Sequence, residues 1–131
     1  MIEHEGKEYG FERLFEAVRY SPEKLPEIVR DNIAVLECAN YAGETVLQFF
    51  SMEGDTEKVK LLLENGAQAD EWSVYFAAGF GHVDTILLLL EYGAIPDIEA
   101  CKEIFLLSKP SKSKRIEVRK LFAAYDYEFK V

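Results

Sequence analysis

Val59–Ala67 reads VKLLLENGA, and Ile86–Ala94, 27 residues further on, reads ILLLLEYGA. The correspondence runs upstream, placing Leu47 on Val74, Phe49 on Phe76, Gly54 on Gly81 and Glu57 on Asp84. A unit repeated at this length marks a chain that stacks one small supersecondary motif, because each copy is too small to bury its apolar face alone. Within a copy the signals are helical. Thr45–Met52 forms a first helix, and Gly54, which tolerates left-handed backbone, ends it. Asp55 then caps a second helix by offering its carboxylate to exposed backbone N–H groups. There Val59, Leu62 and Leu63 fall at i, i+3, i+4 as an apolar stripe, while Lys58, Lys60 and Glu64 face water. Gly66 stops that helix. The second copy repeats the pattern, with Gly81 and His82 at the turn and Ile86, Leu89 and Leu90 as the stripe.

Weaker copies flank these two. Upstream, Phe11, Leu14, Phe15 and Val18 follow helical spacing, and Leu25, Ile28 and Val29 make a second amphipathic turn. Ser21-Pro22 signals a helix start, and Pro26, ill-suited to a helix interior, moves that start later. Downstream, Cys101, Ile104 and Phe105 continue a helix after Pro96-Asp97. Lys109–Lys114 (KPSKSK) reads as a polar loop. A last helix points Val118, Leu121, Phe122 and Tyr125 inward, with Arg115, Glu117, Arg119 and Lys120 outward. No segment shows period-2 alternation, so any strand is expected only around Ile33–Glu44.

The segment GETVLQFFSMEGDTEKVKLLLENGAQAD resembles the ankyrin repeat, through Gly43, Thr45, Leu47, Gly54, Val59, Leu61, Leu62, Leu63, Gly66 and Ala67. Ala77, Ala78, Gly81, His82, Leu88, Leu89, Leu90, Gly93 and Ala94 carry the resemblance in the next copy. The T-P-L-H turn of that family stands here as TVLQ and WSVY, which implies that its side-chain hydrogen bonds are partly lost. The period is 27 where the family uses 33, so the β-hairpin finger is short or absent between most repeats. The fold the resemblance implies is all-α, an ankyrin-like solenoid of about four stacked helix-turn-helix pairs with at most one short β-hairpin finger. Residues 1–131 form a single domain, with clear repeats over about 40–97 and degenerate capping units at 9–39 and 98–131.

The resemblance also implies function. Ankyrin repeats bind proteins and have no inherent catalytic centre. Their partners lie against the fingers and the exposed side of the first helices, which here carries over to Tyr20, Tyr41, Glu44, Met52, Glu53, Glu71 and Phe80. Exposed aromatic residues beside carboxylates are the composition of interaction hot spots.

Charge separates the chain into two parts. Through Ser108 there are 8 Lys or Arg against 21 Asp or Glu, a net −13, whereas from Lys109 onward 7 stand against 3, a net +4. An acidic body repels nucleic-acid phosphates and steers a basic partner inward. The first residues, MIEHEGKE, are too charged for an export signal, and the run Ile86–Leu90 is too short to span a bilayer. A cytoplasmic protein is expected, bound to no membrane and monomeric when free. Cys38 and Cys101 stand far apart, with no His or Cys at metal-ligand spacing, and read as small buried hydrophobes. His4 and His82 have no nucleophile near them in sequence, and the glycines assemble no phosphate loop. No catalytic residue, cofactor or metal is expected. The most concrete function is a small acidic inhibitor, immunity- or antitoxin-like, that covers a basic partner such as a toxin enzyme. The alternative is a generic ankyrin adaptor.

Overall fold

The computed structural model describes the backbone from Ile2 to Val131 and the side chains from Gly10 onward. Eight α-helices follow one another, α1 (Ile2–Tyr20), α2 (Leu25–Asp31), α3 (Val46–Glu53), α4 (Thr56–Glu64), α5 (Glu71–Gly79), α6 (Val83–Glu91), α7 (Ile98–Leu107) and α8 (Lys112–Ala124). There is no sheet among the described residues. Helices α3, α5 and α7 pack side by side as a row of first helices, and α4, α6 and α8 form the row behind it. The first pair closes one end, with α1 against α3 and α4. The four expected pairs are therefore present, and α1 begins earlier than the sequence pattern suggested.

Short side-chain caps set these boundaries. Thr45 and Gln48 form a reciprocal capping box at the start of α3, each accepting from the other's backbone N–H. Gln48 Nε2 also donates to Asp70 Oδ2 at 3.1 Å, and Asp70 Oδ1 caps α5 by accepting from Ser73 N at 2.7 Å. The expectation that the TVLQ turn partly loses its side-chain hydrogen bonds is corrected here. A glutamine reaches as a histidine would, and it ties the starts of two first helices together. At WSVY the cap moves two residues upstream, from the Trp72 position to Asp70, so Trp72 lies inside the helix.

Gly54 could be no other residue without strain. Its φ is +71°, and a Cβ there would lie 2.5–2.7 Å from the ring of His82. That ring reaches across from the next repeat and hydrogen-bonds through Nε2 to the carbonyl oxygen of Met52 at 2.9 Å. Thr56 Oγ1 meets Thr85 Oγ1 at 2.9 Å, a second polar link between the same two repeats.

The core is continuous through the stack. Leu14, Leu25, Phe50, Leu62, Leu89, Phe105 and Phe122 are each at or near zero exposure. Both predicted stripes are inside, with Val59, Leu62, Leu63, Ile86, Leu89 and Leu90 all buried. Lys58 departs from its expected place in water. It bonds Asp55 at 2.7 Å and lays its ammonium 5.8 Å from the centre of the Phe50 ring, which leaves it half-buried. Cys38 is also only half-buried, its thiol directed at the Ala34 carbonyl oxygen.

The linkers explain the shortened period. Six residues join α4 to α5 and six join α6 to α7, too few for a hairpin. In the longer interval a 3₁₀ helix occupies Ile33–Glu37, and the finger shrinks to one antiparallel bridge between Ala39 and Thr45. The loop read at Lys109–Lys114 is shorter than expected, because Ser111 accepts from Lys114 N and starts α8 at Lys112. After α8, Asp126 takes a positive φ of 68° and turns the chain back. Phe129 then stacks on Phe122 at 4.5 Å and is buried.

One core position is imperfect. Ser73 is fully buried, and its Oγ is a buried side-chain polar atom with no hydrogen-bond partner, whereas the buried Ser51 Oγ donates to Leu47 O at 2.8 Å. Ser73→Ala should therefore stabilise the protein by about 1 kcal/mol, removing an unpaired hydroxyl and improving helix propensity. A urea midpoint that falls would show that the hydroxyl makes a contact worth keeping.

Candidate protein-binding surface

Tyr41 stands on a turn that its neighbours hold rigid. Asn40 Oδ1 accepts from the N–H groups of Ala42 and Glu44 at 3.0 and 2.9 Å, and Asn40 Nδ2 donates to Glu44 Oε1 at 3.1 Å. Main-chain bonds between Asn40 and Glu44 and from Gly43 to Asn40 close the loop. Tyr41 is 90 % exposed at the tip of the turn. A large side chain presented on a locked turn loses little conformational entropy when a partner covers it. Glu44 was expected to face outward, but it is half-buried and spends its carboxylate on the turn. It positions Tyr41 rather than offering itself.

From that turn an aromatic path crosses the first helices. Tyr41 shares an open groove with Phe11, Glu12 and Asn40. Phe11 stacks on Phe15 at 5.6 Å, and Phe15 meets Phe49 edge-on at 5.2 Å. The repeat partner of Phe49 is Phe76, which belongs to a second cluster with Trp72 and Tyr75. Phe15, Phe49, Tyr75 and Phe76 are half-buried, and Trp72 is 54 % exposed. A small cleft beside Trp72 is lined by Glu71, Tyr75, Asp97 and Ala100. Two carboxylates, Glu71 and Asp97, stand at the cleft beside Trp72.

The other predicted residues sit at the opposite end of the same helices. Tyr20 (75 % exposed) ends α1, Met52 and Glu53 end α3, and Phe80 (62 % exposed) follows α5. Met52 is half-buried rather than turned outward, its carbonyl oxygen taken by His82. Phe80 stacks on the His82 ring at 6.0 Å. A helix of nine residues separates Glu71 from Phe80 by roughly 13 Å. The structure thus divides the seven residues into a group at the finger end (Tyr41, Glu44, Glu71) and a group at the turn end (Tyr20, Met52, Glu53, Phe80).

Residues 14–100 match the family model for ankyrin repeats, in three copies. The chain belongs to the ankyrin-repeat family. A curated relative, the E3 ubiquitin-protein ligase Ufd4 of Drosophila melanogaster, is 32 % identical over 80 residues. Those residues are 58 % of this chain and 3 % of that protein, so the similarity concerns one small part of a long polypeptide.

An ankyrin domain is a protein-protein interaction module, in general without catalysis of its own. Among the described residues, no three or more His, Cys, Asp or Glu are grouped to hold a metal. Burial, with the nearby Asp97 and Glu71 carboxylates adding to it, pushes the Cys101 thiol up to about 12, so it remains a thiol at neutral pH and a poor nucleophile. His4 lies outside the described side chains. No helix among the described residues is long and apolar enough to cross a membrane. The sequence pattern missed Trp72, the one tryptophan of the chain. Its signal was present in the ankyrin register, where a bulky ring occupies the place of the usual cap threonine. Phe15, Phe49 and Phe76 were missed because helical periodicity alone cannot distinguish a half-buried ring from a core one.

Proposed function

We propose that this ankyrin domain binds a basic partner protein across the solvent side of its first helices, and that it acts in the cytoplasm as a small acidic inhibitor of that partner. One observation carries the reading, two aromatic clusters on the first helices, Phe11, Phe15 and Phe49 beside the Tyr41 turn and Trp72, Tyr75 and Phe76 beside the carboxylates of Glu71 and Asp97. Tyrosine and tryptophan supply apolar area at low entropic cost, and neighbouring carboxylates align and accelerate a positively charged partner. The nearly absent finger row leaves the helices directly accessible. Trp72 is the anchor we assign, Tyr41 the second contact, and Glu71 and Glu53 the charged rim. Tyr20, Met52 and Phe80 form the outer part of the footprint. Covering a basic cleft, as an immunity or antitoxin protein covers a toxin enzyme, matches the net −13 of the first 108 residues. The domain is monomeric until it meets its partner, and it takes no nucleic acid and no cofactor.

The second reading is a generic ankyrin adaptor, which recruits a partner without inhibiting it. One experiment separates the two. The purified chain, used as bait in a lysate of the cell of origin, should capture a protein of high isoelectric point, and less of it at 0.5 M salt than at 0.1 M, where the Debye length is about 10 Å. Adding the chain to that protein should suppress its activity. Undiminished activity would favour the adaptor, and a captured partner that is acidic or indifferent to salt would refute the electrostatic basis of both.

A further inference from the structure

The solvent face of α8 has the opposite sign from the rest of the molecule. Seven of the 15 Lys and Arg residues lie from Lys109 onward. Two of these pair with carboxylates among the described residues, Lys114 with Glu117 at 3.4 Å and Lys130 with Glu128 at 3.3 Å. Lys112, Arg115 and Arg119 make no such pair, although the chain carries 24 acidic residues. They recur at i, i+3 and i+7, so they share one helix face. Together with Pro110, Ile116 and Val131 they line a single open groove of about 470 Å³. The groove is built rather than incidental. Arg119 Nη1 donates to the main-chain oxygen of Val131 at 3.0 Å, which fixes the guanidinium at the groove wall and leaves its other N–H groups available. The Ser111 hydroxyl already accepts from Lys114 N, so attraction for an anion comes from the three side chains and not from a vacant helix end.

We propose that this groove docks a short carboxylate-rich segment of a partner protein, which gives the domain a second binding surface independent of the one on the first helices. Lys112 and Arg115, with the remaining N–H groups of Arg119, match two or three carboxylates, and arginine takes a carboxylate in a bidentate fork. Pro110, Ile116 and Val131 supply apolar walls for the aliphatic parts of such a segment. A nucleic acid fits less well. It is long and densely charged, and the net −13 carried by the preceding 108 residues would repel whatever extends beyond the groove. The groove also offers no aromatic ring for a base to stack on. A lipid surface fits less well too, since three cations fall short of the four to eight that hold a segment on anionic headgroups.

The test uses the full chain and fluorescence anisotropy at low salt. The probes are a labelled eight-residue peptide alternating Glu and Leu, its Gln and Leu counterpart, a single-stranded DNA octamer, and vesicles containing phosphatidylserine. The Glu peptide should bind, and Arg115→Glu with Arg119→Glu should weaken it at least tenfold. Both side chains are exposed and the one bond lost is that of Arg119 to Val131, so the melting curve should move little. Lys112→Glu alone should weaken binding severalfold. The proposal is overturned if the Glu peptide does not bind at millimolar concentration, or if the double variant binds within twofold of the parent. Equal binding of the Gln peptide, or tighter binding of the octamer or the vesicles, would overturn it as well.

Discussion

Leu89→Ala should lower the free energy of unfolding by about 2–5 kcal/mol, a loss large enough to move the melting temperature by on the order of 10 °C. Leu89 is fully buried in the middle of α6, a helix that packs against α4, α5 and α8. Truncation removes three heavy atoms' worth of contact and leaves a cavity whose walls belong to three other helices, none free to close it alone. A solenoid amplifies the effect, since each pair is stable only through its neighbours and a gap in α6 weakens the interface on both sides. Leu62→Ala, the equivalent change one repeat earlier, should cost a similar amount, because Leu62 is also at zero exposure. Glu91→Ala, at an exposed site on the same helix, should change stability by no more than about 0.5 kcal/mol. Thermal denaturation of the three variants decides the matter. If Leu62→Ala and Leu89→Ala melt with the parent, these leucines are not the core.

The leucines could be placed from sequence because two independent regularities agreed on them. Period 3.6 within a copy and period 27 between copies selected the same positions, and burial followed. Glycines at the turns were legible for a similar reason, as Gly54 and Gly81 take φ of +71° and +66° where the pattern required a left-handed residue. The segments that lay outside both regularities were misread. Lys112–Lys114 looked like a loop by composition, yet Ser111 caps them into α8, and one hydroxyl outweighs the polarity of the run. In the last seven residues, Tyr125, Tyr127, Phe129 and Val131 alternate with exposed Asp126, Glu128 and Lys130. That is a period of 2 in a tail lying against the final pair, and a search tuned to helices passed over it. The candidate surface was legible in part. Tyr41 and Glu71 followed from repeat register, while the role of Glu44 depended on the Asn40 turn, a three-dimensional arrangement that no linear spacing announces.

Replacing Trp72 should be the most damaging single change to partner binding. Trp72→Ala is expected to cost about 2 kcal/mol or more, roughly 30-fold in Kd, as is usual for a central tryptophan. Stability should fall far less, because 54 % of the residue is already in water and its ring contacts are with Tyr75 and Phe76 on its own helix. Adding Tyr41→Ala and Glu71→Lys should abolish binding, since the triple variant removes both aromatic contacts and reverses a charge beside the cleft. A companion variant, Glu53→Lys with Phe80→Ala, addresses the turn end. A typical interface takes about 800 Å² from each partner, a patch roughly 30 Å across, which is wide enough to include both ends of a nine-residue helix. The companion should therefore weaken binding as well, but by less, because its residues lie at the edge of the footprint where water still reaches. Titration calorimetry with the captured partner would rank the two. A finger-end triple variant that binds like the parent would exclude the aromatic surface. A companion variant that alone abolished binding would move the interface to the turns, around Phe80 and Tyr20.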